Sequence, residues 1–94
     1  MKATVVGLVT PHVLQVVDLA RQAEAGRNVD WHLRDAVTAT LEALAQQYNA
    51  RELLAAYVHG LQAAVRETGP RQAAQAQLLE TAAAMASREL QKLA

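Results

Sequence analysis

Apolar residues recur at helical intervals along most of the chain. Leu33, Val37, Leu41, Leu44 and Tyr48 follow one another by four, four, three and four positions, which keeps them on one face of an α-helix. Leu54, Val58, Leu61 and Val65 repeat the pattern, and so do Leu79, Ala82, Ala83, Ala86, Leu90 and Leu93. Nearer the start, Val13, Val16, Val17, Ala20 and Ala23 form a stripe that Leu14 and Leu19 widen, so this helix is expected to be covered on more than one side.

Turn and cap residues divide these stripes. Thr10-Pro11 reads as a helix start, with Thr as N-cap and Pro at the first helical position, where no hydrogen bond is lost. Gly26 is a natural stop, and Asn28 or Asp30 is placed to cap the next helix. Asn49 can end one helix in the left-handed region, and Asn49-x-x-Glu52 resembles a cap for another. Gly69-Pro70 ends the third helix. The prediction is an all-α single domain, a small antiparallel bundle of four helices over about 11–25, 30–48, 50–68 and 71–93. On the last helix Arg71, Gln75, Glu80 and Arg88 are expected to face outward. Residues 1–9, with β-branched Val5, Val6 and Val9, read as an extended apolar arm that packs across the bundle or onto a neighbouring subunit.

Composition narrows this picture. At 94 residues the chain can bury one core, and about a fifth of it is alanine, with no Phe and no Ile. Burial at about 25 cal/mol per Å² gives such a core only modest stability. Without cysteine no disulfide can add to it, so a partner is the expected supplement. Nine basic and nine acidic residues balance, which argues against nucleic acid, and Arg outnumbers Lys as in high-GC bacterial genomes. The apolar run Ala3–Val9 is too short to span a membrane, and Pro11, His12, Gln15 and Asp18 interrupt any signal-peptide core. A cytoplasmic protein is expected.

Catalytic chemistry finds little support. The histidines, at 12, 32 and 59, fall in three different helices; only His32 and Asp35 share a face, and no Glu-x-x-His is present. Ser87 is the one serine, and the glycines at 7, 26, 60 and 69 are too scattered to cradle a phosphate. No catalytic residue, cofactor or metal is expected. Trp31 is expected to close one end of the core, with Tyr48 and Tyr57 flanking the turn at Asn49.

Three readings of function remain. The first is a non-catalytic protein–protein interaction module that binds itself, as a dimer, or another helical protein. Its apolar surface would comprise Val5, Val6, Leu8 and Val9 in the arm with Leu14 and Leu19 on the first helix. The second is a helix-turn-helix regulator reading DNA with helix 50–68, where Arg51, His59 and Gln62 would have to make the contacts. For the third, His59-Gly60-Leu61-Gln62-Ala63-Ala64 resembles the histidine phosphotransfer domain, whose phosphorylated histidine is followed by x-Leu-Lys-Gly. That resemblance implies phosphate transfer at His59 within a four-helix bundle. It covers six residues, and Gln62 and Ala63 replace the lysine and glycine, removing a cation and crowding the docking surface.

Overall fold

Val5, Val9, Val13, Val16 and Ala20 stand four, four, three and four residues apart. In the computed structural model, which describes residues 4–93, they share the inward side of a single helix, α1 (Val5–Glu24). Three more follow: α2 (Asp30–Ala45), α3 (Ala50–Glu67) and α4 (Ala73–Gln91). The bundle of four helices read from the stripes is therefore the architecture, and all regular structure among the described residues is helical. Leu8, early in α1, lies beside Leu44, late in α2, and the end of α1 reaches the start of α4.

The extended arm is corrected. Positions 5–9 are the first turns of α1, and residues 1–3 lie outside the described residues. Thr4, not Thr10, is the N-cap: its hydroxyl accepts from the Gly7 N–H at 3.0 Å. Pro11 sits inside the helix and removes the bond to the Gly7 carbonyl, an interruption that costs about 3 kcal/mol in an ordinary helix. Two features make it tolerable. Gly7 is exposed, so its carbonyl reaches water, and Val9 and Val16 on either side of the proline are both buried. Continuity of the buried face outweighs the lost bond.

The remaining junctions differ from the caps read in the sequence. Gly26 behaves as expected: φ is +96°, and Gly26 and Arg27 donate to the Ala23 and Gln22 carbonyls at 3.0 Å, closing a Schellman motif. Neither Asn28 nor Asp30 caps α2; the preceding position is Val29, 4% exposed, which ties the connection to the core instead. α2 stops at Ala45 rather than 48, because Gln47 donates to Leu44 and Ala50 to Gln47 in tight three-residue steps. Those steps turn Tyr48 fully into solvent, off the stripe it was placed on. Asn49 has φ −104° and makes no side-chain cap, so the break at this position is real but its left-handed geometry is not.

At the other end, Glu24 Oε2 accepts from the Gln75 N–H at 3.0 Å and so caps α4 from a different helix. A carboxylate there also meets the positive end of the helix dipole. Gln75 itself is buried, contrary to its outward assignment. Leu93, placed inward, lies beyond α4 and is 41% exposed.

The buried residues form one cluster drawn from every helix. Leu33, Leu54, Leu61 and Leu79 supply its bulk, and Ala20, Ala82 and Ala86 are fully enclosed between them. α1, α3 and α4 pack closely together, while α2 lies against them more loosely. The closeness is sharpest where Gly60 of α3 meets α1: a β-carbon there would come 2.9 Å from Val13 Cγ2. Among the described residues the one ion pair is an exposed one, Lys92 Nζ to Glu89 Oε2 at 3.3 Å, so packing holds the fold rather than charge.

Gly60→Ala is expected to destabilise by about 1 kcal/mol in urea unfolding, the clash of about 1–3 kcal/mol outweighing a helix-propensity gain of about 1. In a Val13→Ala background the same substitution should become neutral or stabilising. If both backgrounds respond alike, the crossing is not held at that contact. Glu24→Ala should lower stability by about 0.5–2 kcal/mol, the usual cost of a lost cap, and hydrogen exchange should rise first at the start of α4.

Candidate functional site

The surface residues named from the sequence divide into three groups. Val6, Leu8 and Leu14 are 66%, 49% and 60% exposed on α1. Val5 and Leu19 are half-buried against the core. Val9, at 2% exposed, belongs to the core and is withdrawn from the surface: the helical register that replaces the arm turns it inward.

A helix advances about 100° per residue, so Val6, Thr10 and Leu14 form a row along one flank of α1. Thr10 adds little polarity to it, because its hydroxyl donates back to the Val6 carbonyl at 2.7 Å. Leu8, His12, Gln15 and Leu19 occupy the other flank and face α2. Between Thr4 and Val17 no Asp, Glu, Lys or Arg occurs, so this half of α1 presents an uncharged surface on every side.

Loose packing of α2 leaves an open groove of about 630 Å³ against α1. Its α2 wall sets small residues, Ala36, Ala39 and Ala43, among the polar His32, Asp35 and Thr40, and the α1 wall is longer: His12, Gln15, Leu19 and Gln22. At Ala43 the groove runs on into a second hollow of about 350 Å³, where Leu8, Leu44, Leu53 and the exposed Tyr48 meet. The spacing of Leu8, His12, Gln15, Leu19 and Gln22, alternately four and three, was legible in the sequence. What hid it was the stronger stripe of valines on the adjoining face.

His12 and His32, read as belonging to separate helices, line this same groove, with Asp35 beside His32. They do not make a metal centre: among the described residues no three His, Cys, Asp or Glu side chains come together as ligands. His59 lies far round on the exposed face of α3 with Arg51 and Gln62. Arg66 on that helix folds back, its Nε donating to the Gln62 carbonyl at 3.5 Å. Glu52 and Glu67 share the exposed surface of α3 with the two arginines, so it carries both signs. Trp31, expected to close the core, is 79% exposed at the start of α2, where Val29 and Leu33 take the inward positions instead. No described helix is long and apolar enough to cross a membrane. Comparison with family models, with curated proteins and with solved structures gave no match.

The titration of Tyr57 is clearly displaced, and its place is structural. Burial pushes the phenol up to about 12. Thr40 donates to the Ala36 carbonyl at 3.0 Å, and the Tyr57 hydroxyl is left buried without a hydrogen-bond partner. A buried unpaired hydroxyl costs about 1–3 kcal/mol.

Because the folded value lies above the unfolded value of 10.0, this group favours the native state below pH 10. Its contribution should decline by about 1.4 kcal/mol per pH unit as pH rises from 10 toward 12. Tyr57→Phe is expected to be at least as stable as the parent at neutral pH and to lose that alkaline decline. Urea titrations of both proteins at several pH values from 8 to 11.5 test it; parallel curves would refute the assignment.

Proposed function

We propose that the protein is a non-catalytic interaction module that associates with further copies of itself through the N-terminal half of α1. The observation that carries this reading is the exposure of Val6, Leu8 and Leu14 on thirteen helical residues without a charged side chain, Val5–Val17. The equally uncharged run Leu53–Val65 of α3 buries its Leu53, Leu54, Tyr57, Val58 and Leu61, and other exposed helix faces mix signs, as with Arg34 and Asp35 on α2. Self-contact of a charged patch sets like charges against each other, whereas an uncharged patch meets its own copy without that repulsion. Exposed Tyr48 is a side chain of the kind that anchors interfaces, and beside Leu8 it extends the apolar area beyond α1.

Magnitudes set the expected strength. Full burial of a Val or Leu contributes about 1.5–3 kcal/mol, and these three are already partly covered. Association itself costs about 4–15 kcal/mol in lost freedom. Micromolar or weaker association follows, enough to respond to concentration and supplement a thin core.

Sedimentation equilibrium from about 5 to 500 μM should show mass rising with concentration, and Leu14→Glu should hold the protein at 10.1 kDa. Leu14 is exposed, so the variant is expected to keep its fold; circular dichroism checks that. Deleting residues 1–9 would not test the idea, since it removes buried Val9 as well. A parent chain that stays at 10.1 kDa across the range overturns the proposal.

A further inference from the structure

The two flanks of α1 differ in shape. One carries the exposed row Val6, Thr10 and Leu14; the other is the wall of the groove whose opposite side includes Ala36, Ala39 and Ala43 of α2. Building on the proposed self-association, we infer that the α1 row of one copy seats in the α1–α2 groove of the next. The contact is therefore head-to-tail.

Three observations support this occupant. Rows spaced by four residues are the ridges that helices insert between their neighbours, and Val6, Thr10 and Leu14 have that spacing. The groove is open along the length of α1 from Leu8 to Gln22, and its exposed alanines leave room for an incoming side chain. Charge also selects the occupant. Asp35, at the end near His32, is the one formally charged lining residue of groove and adjoining hollow. A helix face carrying ions would bury them here unpaired, at several kcal/mol each. The uncharged row of α1 brings no ion, and seated at the Ala39–Ala43 end it leaves Asp35 in water.

Row and groove lie on opposite sides of the same helix. Each contact thus leaves a free row on one copy and a free groove on the other. Such a heterologous surface pair builds rings or open chains, whereas a patch that meets itself stops at a dimer.

Two variants of the full chain separate these cases. Leu14→Glu removes the row and Ala39→Glu blocks the groove; both positions are exposed, and the equal sign of the new charges prevents the two altered surfaces from pairing. Val6→Glu and Ala43→Glu replace either one that fails to fold by circular dichroism. The parent chain should pass twice 10.1 kDa as concentration rises, and each variant alone should stay monomeric. Mixed in equal amounts, the variants should form a species of twice that mass and nothing larger, since one intact row meets one intact groove. A mixture that stays monomeric while the parent associates overturns the head-to-tail contact and leaves self-association standing, as would a parent that stops at a dimer. A parent monomeric throughout overturns both readings.

Discussion

At Gly60 the backbone of α3 comes so near Val13 that a single added carbon would touch it at 2.9 Å, and the bundle is organised around that closeness. Small side chains make it possible. Ala20, Ala82 and Ala86 are completely enclosed, so the axes of α1, α3 and α4 approach more nearly than helices spaced by leucine would. Each alanine, however, removes little apolar surface from water. The leucines and Tyr57 supply most of the burial, and Tyr57 brings with it an unpaired hydroxyl. The core is thus tight in its geometry and modest in its energy.

The same constraint explains the surface. α2 meets the other three through Leu33, Val37, Leu41 and Leu44, larger side chains that hold its axis farther off and leave a groove on its α1 side. Helix α1, which must contact every other element, is apolar round most of its first half. Its inward stripe is satisfied by the core, and the surplus at Val6, Leu8 and Leu14 remains in water. Apolar atoms at a surface are ordinary. What sets α1 apart is their grouping: the uncharged run Leu53–Val65 of α3 is as long, but its Leu53, Leu54, Tyr57, Val58 and Leu61 are buried.

How far the sequence carried can be judged helix by helix. Spacing alone located all four, since the stripes of α2, α3 and α4 are bounded by residues that stop helices. It misplaced the start of α1 because Thr10-Pro11 is a strong local signal, and local signals are weighed without knowledge of burial. The rival signal was present: Val5 and Val9 extend the valine stripe backward in register, with Thr4 ahead of them as a cap. Tyr48 failed differently. Its spacing fitted the stripe of α2, but two three-residue steps after Leu44 rotate the chain, and periodicity cannot detect a rotation. The tie from Glu24 to Gln75 joins residues 51 apart, which no local pattern encodes.

Replacing an arm by a helix also changes what self-association can mean. A flexible arm would be free to exchange between subunits while each bundle stayed intact, because its residues would not belong to the core. With Val9 buried to 2% and Val16 continuing the same face, α1 cannot leave without taking the centre of the bundle with it. The contact proposed between copies is therefore one between surfaces a folded monomer already presents. The groove beside α2 and the row along α1 are such surfaces, and the groove exists because α2 meets the bundle through leucines where α1 and α4 meet it through alanines.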